Sequence, residues 1–196
     1  VLEFVEKIKE LVCPDSVMWI DGGEEQHEGL RKKAVESGEM IKLNEEKLPG
    51  CYLNRSDVND VARVEGRTFI CSRTREEAGP TNNWMDPDEM KAKLHEILRC
   101  AMAGRTMYVI PYSMGVIGSP FAKYGIEVTD SIYVVLNMAI MTRIGTKVLD
   151  ALGDSSDVIL GVHSKVTLDP ENRYIVHFPE ENKIISVNSN YGGNVL

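Results

Sequence analysis

The chain has 196 residues, a net charge of −8 and an isoelectric point near 5.1. A nucleic acid or an anionic membrane surface would need a basic face, so this acidic balance argues against either as a partner. Hydrophobic residues make up 43% and charged residues 27% of the chain, which is typical of a soluble globular protein with room for one large domain.

The four cysteines, Cys13, Cys51, Cys71 and Cys100, are scattered and form no Cys-x-x-Cys pair. We therefore expect reduced thiols in a cytoplasmic protein, with a disulfide as the less favoured alternative. The longest apolar stretch, residues 132–141, is too short to span a bilayer.

The first third of the chain predicts two helices around a short buried strand. Apolar residues recur on one face of residues 2–12, residues 17–20 are a short apolar run, and residues 24–37 form a polar helix followed by Gly38. Residues 47–54 have loop composition. Ser56 and Asp57 can cap a short helix that reaches Val61, and residues 67–72 alternate like a strand.

The middle of the chain carries the strongest helix signal, Asp86-Pro87, with an acceptor before a proline. This helix is predicted to reach about Ala103 and to end at Gly104. Residues 107–110 predict a buried strand, residues 113–120 a loop and residues 125–128 another strand. Asp130 is then expected to cap an almost entirely apolar helix through residue 143, which predicts a buried central helix.

The last part of the chain is rich in strand patterns. Residues 158–162 predict one strand, and residues 173–178 and 183–187 predict a hairpin. The fold class is therefore α/β, a mixed β-sheet with flanking helices, in a single domain that spans residues 1–196.

Three segments stand out as able to carry chemistry. They are residues 57–65, which include Arg63, residues 104–145, and Tyr191-Gly192-Gly193-Asn194. Paired glycines let backbone N–H groups approach a ligand, and a tyrosine can offer its ring edge or its hydroxyl to a carboxylate. A guanidinium fork suits bidentate contact with a carboxylate.

Together, in this order, these segments resemble the N-terminal lobe of GTP-dependent phosphoenolpyruvate carboxykinase. The resemblance extends to Cys13-Pro14-Asp15-Ser16 and to residues 79–84, and so covers nearly the whole chain. It implies the N-terminal-domain fold of that family. It also implies that a parent enzyme converts oxaloacetate and GTP to phosphoenolpyruvate, GDP and CO2 in gluconeogenesis.

The resemblance also implies roles for individual residues. Arg63 matches the family arginine that grips the substrate carboxylate, Tyr191, Gly192 and Gly193 match the substrate-contacting loop, and Asn194 would support that loop. No catalytic residue and no metal ligand of the family falls within this chain. The family's phosphate-binding loop is also absent, because Gly145-Thr146-Lys147 lacks the required spacing.

Mn²⁺ (or Mg²⁺) and GTP would therefore be bound by a C-terminal lobe that this chain lacks. That lobe of the same protein and oxaloacetate or phosphoenolpyruvate are the expected partners, and we expect the parent to be a monomer. The chain is expected to be a fragment that is inactive by itself.

Two departures from the family pattern affect the site. The family usually has Gly-Ser-Gly before Tyr-Gly-Gly-Asn, whereas this chain has Asn188-Ser189-Asn190. Asparagine tolerates positive φ, so the turn can survive with altered flexibility. The segment after His163 is shorter than in most family members, so that loop should differ in shape.

Other interpretations remain open at this stage. The same cradle could belong to a stand-alone dicarboxylate-binding module without catalysis, or the glycine loop could only pack within a scaffold lobe. Arg63 could also pair with Asp60 or Glu65 on the surface. The four histidines, His27, His95, His163 and His177, are expected to be structural or solvated rather than catalytic.

Overall fold

The computed structural model describes residues 1–55 and 65–190, and across these residues it contains five α-helices and ten β-strands. The helices are α1 (Leu2–Val12), α2 (Glu24–Glu36), α3 (Pro87–Leu98), α4 (Ile132–Met141) and α5 (Thr146–Leu152). The strands are β1 (Ser16–Trp19), β2 (Ile41–Lys42), β3 (Tyr52–Leu53), β4 (Thr68–Ile70), β5 (Thr106–Met114), β6 (Lys123–Thr129), β7 (Arg143–Ile144), β8 (Ile159–Ser164), β9 (Tyr174–Phe178) and β10 (Lys183–Val187).

Eight of these strands form one mixed sheet in the order β1-β5-β6-β8-β10-β9-β4, with β7 paired to β5. Strands β6, β8 and β10 are parallel to one another, and β5 and β9 run antiparallel to them on either side. The predicted α/β fold with a mixed sheet is therefore confirmed. We call the edge where β6, β8 and β10 end the carboxyl edge; β5, β9 and β4 begin there.

The sheet is covered by helices on both faces. Met107 and Val109 of β5 pack in one apolar cluster with residues of α1 and α3, while the alternate residues Tyr108, Ile110 and Tyr112 pack in a second cluster with α2 and α4. This alternation follows from the period of two along a strand. A strand buried on both faces explains why β5 is a nearly continuous apolar run.

Several predicted elements are confirmed with small shifts at their ends. The helices predicted at residues 2–12 and 24–37 are present, and the hairpin predicted near the end is the antiparallel pair β9–β10. The short helix predicted from Ser56 to Val61 lies outside the described residues.

Helix α3 is shorter than its sequence predicted. The prediction that it reaches Ala103 is wrong, because Arg99 leaves the helical region with a ψ of 113°. The amide of Cys100 then donates to the carbonyl of Leu11 at 2.8 Å instead of continuing the helix. A contact with the end of α1, far away in sequence, thus stops the helix.

Strand β5 is longer than predicted and takes in part of the expected loop at residues 113–120. It runs through Pro111, although a proline removes a hydrogen-bond donor from a ladder. Strand β1 pairs only with Thr106 to Val109, so Pro111 lies beyond it, and its carbonyl accepts from Gly145 at 2.9 Å. The structure tolerates the proline because no β1 partner requires its missing N–H.

The expectation of four reduced cysteines is wrong for one pair. Cys13 and Cys100 are joined in a disulfide that links the chain after α1 to the chain after α3, whereas Cys51 and Cys71 are free. The two partners are separated by 87 residues, so their spacing in sequence gave no sign that the fold brings them together.

Helix α4 begins with a different cap from the predicted one. Ser131, not Asp130, is the N-cap residue, and its hydroxyl accepts from the amide of Val134. The last turn is also less buried than predicted, since Ile140 is 82% and Met141 48% exposed. Across residues 1–55 and 65–190, no helix has the length and apolar character needed to cross a membrane.

Candidate functional site

The candidate site lies at the carboxyl edge of the sheet. In α/β folds, ligands commonly bind beyond the carboxyl ends of parallel strands, where loops diverge and leave a crevice. Here β6, β8 and β10 end side by side, and β5 begins next to β6, so Arg105, Asp130 and Lys165 are brought to one place. These residues are 60 positions apart in sequence at the extremes and meet only through strand pairing.

A cavity of about 500 Å³ opens at this edge, a size suited to a small-molecule ligand. It is lined by Ser37, Gly38, Glu39, Asn54, Arg55, Arg105, Lys165, Val166, Thr167, Leu168 and Asn190. Three of these side chains are cationic and one is anionic. Cationic side chains therefore outnumber anionic ones in this lining, in a protein whose net charge is −8, and we call it the cationic cavity.

Arg105 is held in place by a buried carboxylate. One terminal nitrogen donates to Asp130 Oδ2 at 2.6 Å and the other donates to the carbonyl of Val166 at 2.7 Å. Asp130 has no exposed side-chain surface, and it also accepts from the Ser164 hydroxyl at 3.0 Å and the Lys165 amide at 2.9 Å. The strand ends of β6 and β8 and the start of β5 are thus tied together by one carboxylate.

Glu39 compensates part of the positive charge. Its Oε1 accepts from the Ser131 hydroxyl and from the Tyr133 amide, both at 3.0 Å, at the N-terminal end of α4. A carboxylate is favoured at that end of a helix. Its Oε1 also lies 3.7 Å from Lys165 Nζ, which leaves Arg55 and Arg105 as the further cationic groups of the cavity.

The five residues that the sequence predicts for substrate contact lie outside the described residues. They are Arg63, Tyr191, Gly192, Gly193 and Asn194. Their flanks are described. Arg55, which precedes residues 56–64, and Asn190, which precedes residues 191–196, both line the cationic cavity. The last described residue before each predicted segment therefore lies at the same cavity.

The other flank of residues 56–64 reaches a second cavity along the same edge. Glu65 lines a space of about 510 Å³ together with Asn82 and Asn83, next to the start of β4. Asn83 Nδ2 donates to the carbonyls of Glu65 at 2.7 Å and Thr68 at 3.0 Å. Residue 65 is thus held by a hydrogen bond at the carboxyl edge, and residue 55 lines the cationic cavity at the same edge.

The departure from Gly-Ser-Gly is accommodated by an asparagine in the left-handed region. Asn188 has a φ of 62° and is buried. Asparagine populates this region more readily than most residues, so position 188 takes a backbone conformation that a glycine would also allow.

Sequence reasoning did not identify Arg105, Asp130, Lys165 or Glu39 as members of a site. Asp130 was assigned to a helix cap, Arg105 stood in the segment 104–145 without a role of its own, and Lys165 and Glu39 stood in segments with no recognisable motif. The only available signal was position, since Asp130 closely follows the strand predicted at residues 125–128 and Lys165 closely follows the strand predicted at residues 158–162. Without strand order, that signal could not show that the two strands are neighbours.

Cationic side chains, rather than metal ligands, characterise the described part of this site. Among residues 1–55 and 65–190, no group of three or more His, Cys, Asp or Glu side chains is placed to hold a metal ion. The cationic side chains and backbone amides can orient a carboxylate. A divalent metal and a nucleotide would need residues beyond those described.

One buried acid on β6 stands apart from the cationic cavity. Glu127 is 4% exposed, and burial raises its pKa well above the usual range. Gly161 lies opposite it on β8, and a Cβ there would collide with the carboxyl group. Burial also raises the pKa of Tyr112, and the nearby carboxyl group of Glu127 raises it further.

Fold and cavity together define an α/β domain with a cationic cavity at the carboxyl edge of its sheet. The protein family described as phosphoenolpyruvate carboxykinase N-terminal domain matches residues 3–196. The chain belongs to this family.

Curated relatives named phosphoenolpyruvate carboxykinase [GTP] match the whole chain or nearly all of it. A protein from Anaeromyxobacter sp. (strain K) is 52% identical over 195 residues, which cover 100% of this chain and 33% of the relative. The Corynebacterium jeikeium protein is 48% identical over 206 residues and the Chlamydia trachomatis protein 45% over 205 residues, covering 100% and 98% of this chain and 34% of each relative. The chain thus spans about a third of the length of these relatives.

Proposed function

We propose that this chain is the N-terminal, substrate-binding lobe, residues 1–196, of a GTP-dependent phosphoenolpyruvate carboxykinase. The whole enzyme would convert oxaloacetate and GTP to phosphoenolpyruvate, GDP and CO2, as a step of gluconeogenesis in the cytoplasm. The share of this lobe would be to hold the carboxylate of oxaloacetate or phosphoenolpyruvate.

One observation carries the proposal for the site. Arg55 and Asn190, which lead into the two segments expected to contact substrate, line the same cationic cavity as Arg105 and Lys165. A dicarboxylate that enters this cavity would meet positive charge from two separate strand ends. The relatives' names and the family match support the choice of substrate.

The residues of this chain would bind and orient the substrate. Arg63 would form a charge-assisted fork to a carboxylate, and Tyr191, Gly192 and Gly193 would cradle it, with Asn194 supporting the loop. The Asp130–Arg105 pair would hold the cavity wall in place. These contacts would align the substrate before any bond changes, which is how positioning groups lower a barrier.

Mn²⁺ (or Mg²⁺) and GTP would be bound by the C-terminal lobe of the same protein. When bound, the metal would stabilise the enolate oxygen and the nucleotide would supply the phosphoryl group. The isolated chain would therefore be inactive, and a monomeric parent enzyme would contain both lobes.

The test is an Arg63→Ala variant of the longer enzyme, assayed for GTP- and Mn²⁺-dependent formation of phosphoenolpyruvate, with ATP as the nucleotide control. We expect kcat/KM for oxaloacetate to fall about 10²-fold, the scale of a lost charge-assisted bidentate contact. Arg31→Ala is the matched control, because Arg31 pairs with Glu24 and Glu28 on α2. Its kcat/KM should be unchanged.

Two results would redirect the proposal. Kinetics of Arg63→Ala equal to those of the wild type would remove Arg63 from the site. A folded wild-type protein that binds phosphoenolpyruvate but shows no activity with GTP or ATP would favour a stand-alone dicarboxylate-binding module instead.

A further inference from the structure

The backbone just before the predicted glycine loop is held by an unusual number of side-chain contacts. Asn188 is 1% exposed, and its Oδ1 accepts from the amides of Thr167 at 3.3 Å and Asp169 at 3.1 Å. Its Nδ2 donates to the carbonyl of Asn172 at 2.8 Å. One side chain therefore ties the end of β10 to the loop between β8 and β9.

The two carbonyl groups that follow are also occupied. The carbonyl of Asn188 accepts from Arg173 Nε at 2.9 Å, and the carbonyl of Ser189 lies 2.8 Å from His163 Nε2. Arg173 is 4% exposed and His163 is fully buried. Fixing two consecutive carbonyls fixes two consecutive peptide planes, since each peptide unit is planar. The direction in which the chain leaves β10 is thereby set.

The contacts of His163 assign its proton. A carbonyl only accepts, so the hydrogen bond to Ser189 requires a proton on Nε2. His163 Nδ1 lies 2.7 Å from Thr129 Oγ1, and that hydroxyl accepts from the Ser131 amide at 3.1 Å. In the neutral tautomer, Thr129 donates to Nδ1 and all of these groups are satisfied. The imidazole thus links the end of β6 to the residue that precedes Asn190.

We propose that His163 and Asn188 are positioning residues that hold Asn190 at the wall of the cationic cavity, a role that rests on the proposed function. Both side chains are buried, and neither lines the cationic cavity. They fix the backbone of residues 188–190, one of which lines the cationic cavity. A Gly-Ser-Gly sequence at residues 188–190 would lack the three hydrogen bonds of the Asn188 side-chain amide. We call the hydrogen bonds of His163 and Asn188 to residues 188–190 and their neighbours the anchor. A cavity wall that is already fixed loses less conformational freedom when a ligand binds, so the anchor should increase the affinity for the ligand.

The test compares two replacements of His163 in this chain, by glutamine and by asparagine, whose side-chain amides each reach the position of one ring nitrogen. In His163→Gln the side-chain amide reaches the position of Nε2 and can donate to Ser189. In His163→Asn it reaches only the position of Nδ1, so the bond to Thr129 can remain and the bond to Ser189 is lost. Phosphoenolpyruvate affinity is measured by titration followed by NMR, together with amide hydrogen exchange of residues 188–190 and thermal unfolding.

We expect His163→Asn to weaken phosphoenolpyruvate binding about tenfold and to speed exchange at residue 190 about tenfold. His163→Gln should stay within about threefold of the wild type in both. Both variants remove the same buried ring, so their melting temperatures should fall by similar amounts. That pattern separates positioning from a purely structural role, which would make affinity follow stability.

Asn188→Gly gives an independent variant. Glycine keeps the left-handed backbone but removes the three amide contacts, so strain is not introduced. We expect exchange at residues 188–190 to rise about fivefold and affinity to fall by a similar factor, with the fold intact.

The outcomes are distinguishable from those of the proposed function. If both variants are folded and His163→Asn has the same phosphoenolpyruvate affinity and the same exchange rates as His163→Gln, the proposed positioning role of His163 is wrong. A wild-type chain that binds no phosphoenolpyruvate would argue against the proposed function and against a ligand role for the anchor. The exchange rates would then still decide whether the hydrogen bonds of His163 and Asn188 fix the backbone of residues 188–190.

Discussion

The two ends of strands β6, β8 and β10 are built very differently. At the carboxyl edge, Asp130, His163 and Asn188 are buried and each has several hydrogen-bond partners. At the opposite end, the Lys123–Asp157 ion pair spans 3.2 Å with side chains that are 62% and 70% exposed. The turn between β5 and β6, also at that end, leaves Phe121 90% exposed.

The difference indicates which end of the three strands is held by the more specific contacts. A buried polar group destabilises a protein unless it is hydrogen-bonded, so a dense buried network is retained only where its partners all fit. An exposed ion pair contributes little and constrains little. The carboxyl edge is therefore the rigid, specified end of these three strands, which is what a binding site requires.

The largest expected effect concerns the disulfide, which lies just before β1 and β5 at the carboxyl edge. Linking residues 87 positions apart restricts the unfolded chain and is worth up to about 4 kcal/mol in the chain-entropy account. Cys13→Ser should lower the free energy of unfolding by an amount of this order without reductant. Cys51→Ser, at an exposed free cysteine, is the control and should have almost no effect.

Urea unfolding with and without dithiothreitol provides the measurement. Reductant should lower the stability of the wild type toward that of Cys13→Ser and leave Cys13→Ser itself unchanged. An equal response of both proteins to reductant would show that the bond does not contribute to stability.

The next effect compares the two ends directly. Asp130→Ala removes a fully buried carboxylate and leaves the Ser164 hydroxyl and the Lys165 amide without their acceptor, which should cost about 3 kcal/mol. Asp157→Ala breaks the exposed pair at the other end and should cost less than about 1 kcal/mol. Chemical unfolding of both variants checks this ranking, and similar losses would show that the two ends do not differ in their constraint.

The smallest effect concerns Glu127, midway between the two ends. Burial raises its pKa, so the folded protein binds a proton more tightly than the unfolded chain. Stability is then fully present below the ordinary glutamate pKa, about 4.3, and falls as pH rises from there toward the raised pKa. Glu127→Gln should reduce this loss and make unfolding less dependent on pH.

The check is the free energy of unfolding of the wild type and of Glu127→Gln, measured at several pH values from about 5 to about 8. Glu96→Gln serves as the control, because that carboxylate is exposed on α3. Parallel pH profiles for the wild type and Glu127→Gln would show that the buried acid carries no such penalty.

Local patterns in the sequence predicted much of the fold. The Asp86-Pro87 start signal located α3, and alternation located β9 and β10 together with their hairpin. Three segments indicated the family, which the match over residues 3–196 confirms. The roles of Arg63 and of residues 191–194 stay predictions.

The sequence by itself determined the kinds of elements, because periodicity and capping depend on residues a few positions apart. Tertiary structure decided where α3 ends, that Cys13 meets Cys100, and that Asp130 binds Arg105 instead of capping α4. In each of these cases a distant group competed with a local partner and prevailed. The cationic cavity has the same origin, since Arg105, before β5, and Lys165, after β8, come together only because β6 pairs with both strands.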